Sequence, residues 1–414
     1  MTTPRSRSAD DARPAVGRLL LGIWMLAALL APGARAANCN AIKVWSFNVR
    51  FDDGWSSCFS DCENQWFKGG AATARRDVAR AFLTQYAPDI FGLQEVKNPA
   101  PFATTRASQL RDIASWFPKH GYYALDRGDG EHCAIFFRID RFTPFDTGTF
   151  WMSCTPDVPS KHPRETGNFR ITSWVRLIDN YTGIDFYVFN SHWPLDSAAR
   201  DYSAALIRER ISRIAAGAPV ILLGDFNCAE SESPFDILLG RRTYPPSSDC
   251  SVQPRAVPIP GLPLVNSYRE VIPTVSAFEE TAHGFTGESE GDHIDHIVHT
   301  GGDFAPFRAA IRRDTYPGGC GEPECYPSDH YAIEVEFRLL LESAEVRFGP
   351  GSADCEAGTP LYPFRSITDA LDVLEENGTL TLQNTSSSVG LTINPRRGPI
   401  TLTSAKGPSI LGRR

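Results

Sequence analysis

Val220-Ile221-Leu222-Leu223-Gly224-Asp225-Phe226-Asn227 runs four aliphatic residues straight into a glycine, a carboxylate and an amide. The run has the length and β-branched content of a buried strand, and its polar groups sit at the mouth. Three more segments place polar groups in the same way. Asp89-Ile90-Phe91 leads into Gly92-Leu93-Gln94-Glu95, Phe186-Tyr187-Val188-Phe189 leads into Asn190-Ser191-His192, and Ser328-Asp329-His330 completes the set. Buried strands that finish together in polar groups converge at one end of a sheet, where ligand sites form. Carboxylates, amides and imidazoles bind divalent metal and phosphate, so the four segments together point to a phosphoesterase.

Residues 1–36 read as a signal peptide. Arginines at 5, 7, 13 and 18 precede the apolar stretch Leu19–Leu30, and Ala34-Arg35-Ala36 supplies a small-residue cleavage pattern. A secreted or periplasmic location is expected. No later segment approaches about 18 uninterrupted apolar residues, so no stable membrane insertion is expected after cleavage. The five arginines and two aspartates of this segment carry +3, so the chain from residue 37 onward has net charge −11, against −8 for the whole. A chain holding nucleic acid by charge alone would be basic. Acidity therefore weighs against an avid non-specific polynucleotide binder, but not against a nuclease whose metal supplies local positive charge. All ten cysteines lie beyond residue 36, and an even number in an exported chain reads as disulfides. The spacing suggests Cys58–Cys62, Cys320–Cys325 and Cys228–Cys250 as loop staples, in preference to zinc sites.

From about 38 to 342 strand-like runs alternate with helical patterns. Ala72–Tyr86 and Ala198–Ala215 read as amphipathic helices. Strands read at Ile42–Phe47, Ile90–Gln94, His132–Arg138, Thr172–Asp179, Phe186–Asn190, Val220–Gly224, His293–His299 and Tyr331–Phe337. Packed sheets with helices outside are implied. We expect a catalytic domain over 37–342 and a separate segment over 345–414, where a helix at Phe364–Glu375 precedes short turn-separated runs that look like the first coils of a parallel β-helix.

Glu95, directly after a buried strand, and Asn48, ending another, are the leading metal ligands, because Mg²⁺ needs only one or two carboxylates beside phosphate and water. Asp225 is suited to orient or deprotonate an attacking water, and Asn227, two residues on, to hold it or a phosphate oxygen; an Asx turn is the structural alternative. His192 and His330 are candidate proton and phosphate handlers, with Glu131 placed to orient His192 and Asp295 to orient His330. In the stretch His293–His299, a period of two puts His293, Asp295 and His299 on one face and His296 on the other, which argues against a zinc cluster. Arg127-Gly128-Asp129-Gly130 is a turn by composition, and its arginine is also suited to pair with a substrate phosphate. Trp151, Trp193 and Phe285 read either as base-stacking residues or as core and pocket wall.

The segments Ser46–Arg50, Gly92–Glu95, Asn190–His192, Gly224–Asn227, Ile294–Ile297 and Pro327–His330 resemble the endonuclease/exonuclease/phosphatase superfamily over about 42–337. Gly148–Trp151, Thr155–Pro159, Arg127–Gly130 and Thr281–Phe285 are similar to a secreted branch akin to the deadenylases. The resemblance implies an α+β fold, a four-layer αββα sandwich of two packed mixed sheets flanked by helices, here with a small β-helix-like C-terminal appendage. It also implies Mg²⁺- or Mn²⁺-dependent hydrolysis of phosphate esters by in-line attack of water. Position by position, it implies a metal shell of Asn48, Glu95 and Asp329, catalytic roles for His192, Asp225, Asn227, Asp295, His330 and Glu131, and substrate contacts from Arg127, Asn227 and His283. Relatives of this branch continue Asn-Thr-His-Leu-Asp-His where this chain has Asn190-Ser191-His192-Trp193-Pro194-Leu195, so the second histidine is missing. The loop Asp53–Lys68, with Cys58 and Cys62, is an insertion.

These readings favour an exported phosphodiesterase or nuclease, acting on a phosphate-ester substrate with nucleic acid among the candidates, and expected as a monomer. Phosphomonoesterase and sphingomyelinase-like lipid phosphodiesterase are the alternatives; the lipid option lacks an apolar membrane-contacting run. The rival from another class is an inactive secreted adhesion or glycan-binding protein, against which the complete polar set argues.

Overall fold

Strict alternation along the central strands divides their side chains between two environments. In a computed structural model of the chain, Ile42 and Val44 face Val188, Ile221 and Leu223 across a shared apolar layer, while Trp45 and Phe47 face the other way onto Phe82 and Leu83 of a helix. The structure describes residues 37–52, 66–68, 71–72, 74–98, 108–165, 167–245, 247–254, 264–287, 292–317, 325–347, 355–383 and 399–404. The segment 1–36 and residues Cys58, Cys62 and Cys320 lie outside them.

Two six-stranded sheets pack face to face. The first runs in the order Phe304–Arg312, Ala332–Leu339, Ala41–Asn48, Ile90–Lys97, Glu131–Arg138, His120–Tyr123. The second runs Leu264–Asn266, Asp295–Thr300, Val220–Asp225, Asp185–His192, Ile171–Asp179, Phe142–Trp151. Each sheet is antiparallel except for one central parallel pair: Ala41–Asn48 with Ile90–Lys97, and Asp185–His192 with Val220–Asp225. A parallel pair needs a crossover, which a helix supplies in both cases (Ala74–Tyr86 and Ser197–Ile214), and each helix covers the outer face of its sheet. The result is four layers, helix–sheet–sheet–helix, as expected for the α+β class.

Several expectations shift. Phe142–Trp151 and Phe304–Arg312 are strands that the sequence reading missed. The strand expected from His293 begins at Asp295, so the chain bends there and His293 and His296 stack at 5.0 Å, not on opposite faces. Cys250 pairs with Cys154, and Cys228 is a buried free thiol, which corrects the expected Cys228–Cys250 bridge. Cys325 is a free thiol too. The second disulfide, Cys39–Cys355, ties the first described strand to the C-terminal region. There the helix is only Ile367–Leu371, and Leu341–Arg347, Leu374–Gln383 and Thr401–Ser404 form a parallel three-stranded sheet around Val346, Phe364 and Leu380. Its first strand straddles the boundary expected at 342–345. Among the described residues no helix is long and apolar enough to cross a membrane.

Candidate active site

The inward rows of side chains change character along their length. Ile42 and Val44 give way to Ser46 and Asn48, Ile90 to Gln94, Phe186 and Val188 to Asn190 and His192, and Ile221 and Leu223 to Asp225. The strands of the two parallel pairs thus end on the same polar floor. Asn190 rivets the sheets there: its Nδ2 donates to the carbonyls of Leu93 (3.0 Å) and Ala134 (2.8 Å), and its Oδ1 accepts Gln94 Nε2 at 2.7 Å. Close approach needs Gly92, where a Cβ would overlap Leu223 and lie 2.8 Å from Asn190 Cγ.

Asn48 Nδ2 reaches both Glu95 Oε1 (3.1 Å) and Asp225 Oδ2 (3.0 Å), which brings residues from three strands together. Alternation alone would send Glu95 to the helix side with Phe91 and Leu93. The pairing with Glu131–Arg138 instead shifts register between Leu93 and Val96, and Glu95 takes φ 62°. This irregularity re-aims the carboxylate into the site, a common use of bulges beside functional groups. Arg50 Nη1 lies 3.9 Å from Glu95 Oε2 and 3.5 Å from Asp329 Oδ2. Ser328 Oγ donates to the Asn48 carbonyl at 2.6 Å, which anchors the segment bearing Asp329 and His330.

Asp225 and Asp295 are cross-strand partners, and His330 closes the group. His330 Nδ1 lies 2.8 Å from Asp295 Oδ2, and its Nε2 is 4.0 Å from Asp225 Oδ2. Thr281 Oγ1 accepts the amides of Ile294 and Asp295, both at 3.0 Å, and so fixes the start of the strand. Burial works against charge on His330, but the Asp295 carboxylate overcomes it and holds the imidazole well above its ordinary value. Burial and the neighbouring Asp295 push Asp225 up to about 7, while His330 and Asn48 pull it down. His192 Nε2 is 3.5 Å from Asp225 Oδ2. Burial, then Arg170 and Arg127, hold His192 well below its ordinary value, so it is neutral.

Other expectations fare differently. Glu131 does not orient His192: it pairs with Arg127 Nη2 at 2.7 Å and Lys97 Nζ at 3.4 Å, and His192 Nδ1 has no hydrogen-bond partner among the described residues. Arg127 is committed to Asp129 (2.8 Å) as well as Glu131, inside a turn closed by Asp126. Asn227 lies beyond the strand end at φ 50°, its amide on Asp225 Oδ1 (2.9 Å) and its Nδ2 on the Trp193 carbonyl (3.0 Å), which is the Asx-turn alternative. His283 stacks on Tyr331 at 4.0 Å, its amide bonds the Asp329 carbonyl at 2.8 Å, and burial lowers it to about 4. Trp193 and Trp151 are buried, so they are wall and core, not an open stacking surface; Phe285 is half-buried.

Sequence reasoning missed Arg170. It is only 4 % exposed, its Nε lies 3.8 Å from Glu165 Oε1 and has no hydrogen-bond partner among the described residues, and it acts electrostatically on His192. A lone arginine before a strand carries no local signal. Arg50 could have been found, since it closes the Ser46–Arg50 motif.

The model of the Endonuclease/Exonuclease/phosphatase family matches residues 45–330. No curated protein matches the chain. Among solved structures, an endonuclease/exonuclease/phosphatase family protein from Bacteroides thetaiotaomicron is 30 % identical, over 73 % of this chain and 98 % of its own, at TM-score 0.56. A mannosyl-6-phosphatase from Bacteroides thetaiotaomicron VPI-5482 is 29 % identical, over 72 % and 99 %, at TM-score 0.55. The human nocturnin catalytic domain, with a bound sulfate anion, shares the fold at 16 % identity, over 73 % and 96 %, at TM-score 0.50.

Proposed function

The chain belongs to the endonuclease/exonuclease/phosphatase family and is therefore a metal-dependent hydrolase of phosphate esters, and from that premise we propose that it is exported and removes phosphate from a phosphorylated sugar. The observation that carries the substrate reading is the 29 % identity along 99 % of a mannosyl-6-phosphatase. The net charge of the chain, −8 overall, disfavours a long polyanion held by charge. The two disulfides among the described residues support export. Residues 37–342 are then the catalytic unit, and 345–414 an appendage that holds none of the candidate site residues.

The residues fit a hard divalent cation. Glu95, Asp329 and Asn48 offer oxygen donors, and a guanidinium nitrogen of Arg50 already lies between the two carboxylates, at 3.9 and 3.5 Å. Mg²⁺ or Mn²⁺ held there would polarise the phosphoryl oxygens and neutralise developing charge. The protein's own groups divide the rest of the work. His330, held protonated by Asp295, is a poor base and a good partner for phosphate oxygens, so the attacking water falls to Asp225. Neutral His192, 3.5 Å from Asp225, flanks it and donates to a phosphate oxygen as charge builds, while Asn227 holds the Asp225 carboxylate in place through its backbone amide.

The test is release of inorganic phosphate from mannose 6-phosphate and other sugar phosphates, beside bis-p-nitrophenyl phosphate, with Mg²⁺ or Mn²⁺ and with EDTA. The reading expects sugar-phosphate hydrolysis that EDTA, Glu95→Ala and His330→Ala each abolish. Cleavage of diesters alone would restore the nuclease or phosphodiesterase reading. No turnover of any ester with either metal would favour the inactive binding protein.

A further inference from the structure

A second cluster of metal-binding side chains lies on the opposite face of the strand that carries Asp295. Asp295 points between the sheets into the catalytic group, whereas His296 points outward, onto Phe226 and Phe235, at ring distances of 5.3 and 4.5 Å. The bend before Asp295 brings His293 over His296, with the rings 5.0 Å apart and nearly parallel. Glu230, three residues past Asn227, completes the set. One ligand atom from each of Glu230, His293 and His296 lies within 4.8 Å of the others.

The hydrogen bonding leaves these rings open. His296 Nε2 sits 2.9 Å from the Cys228 carbonyl, which can only accept. Nε2 therefore carries the proton, and the lone pair is on Nδ1, a buried atom with no hydrogen-bond partner among the described residues. A backbone carbonyl fixing the tautomer of a histidine in this way is the usual support for a metal ligand. Neither ring nitrogen of His293 has a hydrogen-bond partner among the described residues, although both are buried; the Asp295 backbone acts on the ring without making a bond of normal geometry. Buried polar atoms left this way cost stability unless something binds them. Arg269 Nε grips both Glu230 oxygens (2.9 and 2.7 Å), and its Nη2 bonds Glu279 Oε2 at 2.6 Å. Each carboxylate oxygen keeps a further lone pair, and the Arg269–Glu230–Glu279 group carries a net negative charge that a dication would offset.

We propose that Glu230, His293 and His296 bind a transition-metal ion, Zn²⁺ foremost, back to back with the catalytic site. Two imidazoles and a carboxylate with an open fourth position suit zinc, with donors about 2.0–2.2 Å from the ion. Half-buried Glu230 supplies the entry path and closes the remaining distance by side-chain rotation. The ion would tie the loop after Asn227 to the strand that starts at Asp295, and so brace two catalytic segments from behind. The proposal goes beyond the phosphatase reading and does not depend on it.

The experiment counts metal, not turnover. Full-length protein is stripped with EDTA, saturated with Mg²⁺, exposed to Zn²⁺ and dialysed, then compared with His293→Gln and Glu230→Gln. The wild type should retain one more zinc per chain than either variant. With Co²⁺, His293→Cys should gain a thiolate-to-cobalt charge-transfer band absent from the wild type, a signature that mere structural damage would not create. Equal zinc content in all three proteins, or cobalt-loaded His293→Cys without that band, would overturn the site.

Discussion

Asp225 concentrates the conflict between stability and chemistry. Its carboxylate is buried beside Asp295, and its folded value of about 7 stands far above the 3.8 of an unperturbed aspartate. The folded state therefore binds more protons than the unfolded one between those values, and this group's penalty on stability grows as pH rises from 3.8 to about 7. Asp225→Asn removes the charge and its penalty, at the cost of one of the two hydrogen bonds that the carboxylate accepts from Asn48 and Asn227, the smaller effect. We expect turnover to fall by about 10²–10⁴-fold, while the melting temperature at pH 8 rises by at least about 2 °C, read by calorimetry. A variant that melts lower at pH 8 would refute the electrostatic account. His330 carries the opposite sign. Its folded value is raised, so its pairing with Asp295 stabilises fully below the unfolded value of 6.5 and is lost as pH climbs through the folded one. Asp295→Asn removes the carboxylate that keeps His330 charged. The alkaline limb of the pH–kcat profile should consequently move to lower pH, and an unmoved limb would show that His330 acts without its proton.

At the scale of elements, the site depends on how strands end. Gly224, one residue before Asp225, packs against the neighbouring strand so tightly that a Cβ would overlap the Ser191 carbonyl oxygen and sit 2.9 Å from its carbon. Backbone must move to admit it. Gly224→Ala should cost about 1–3 kcal/mol in urea unfolding and, by displacing Asp225, about 10²-fold in turnover; an unchanged urea midpoint would mean that the two strands are less tightly joined. The central strands were legible because a parallel pair buried on both faces must be apolar throughout, as Val220–Leu223 is. The outer strands Phe142–Trp151 and Phe304–Arg312 were not, since each carries a proline (Pro144, Pro306) next to a register shift. The site was legible wherever a strand simply ends in a polar residue, as at Asn48, His192 and Asp225. Glu95 was legible from its place after a buried strand, although the irregularity that turns it inward was not; nor was the bend that stacks His293 on His296, or Arg170, whose role depends on residues distant in sequence.

Over the whole molecule, the disulfide Cys39–Cys355 joins positions 316 residues apart. Ala37–Asn38 pairs in parallel with Cys355–Glu356, and the Cys39 amide bonds the Glu356 carbonyl at 2.8 Å, so the bridge sits beside a short ladder that joins the start of the described fold to its C-terminal region. The C-terminal sheet leans on the main body through Ile184, which packs against its core, and through Thr359 Oγ1 on the Tyr181 carbonyl at 3.2 Å. The ion pair of Arg338 Nη2 with Asp372 Oδ2 (3.4 Å) and the ring contact of Tyr181 with Tyr362 (5.2 Å) add to these, and the covalent tie reinforces the docking. A loop this long gains from cross-linking mainly through the entropy removed from the unfolded chain, on the order of 2–5 kcal/mol. Cys39→Ser with Cys355→Ser should lower stability by that amount. None of the catalytic candidates lies in the C-terminal sheet, so metal-dependent turnover at 20 °C should be retained. Thermal melts of the wild type with and without a reductant give the same comparison without mutation, with the double variant insensitive to the reductant except through Cys154–Cys250. If reduction left the melt of the wild type unchanged, the appendage would be held by packing alone, and the long-range bridge would contribute nothing to the fold.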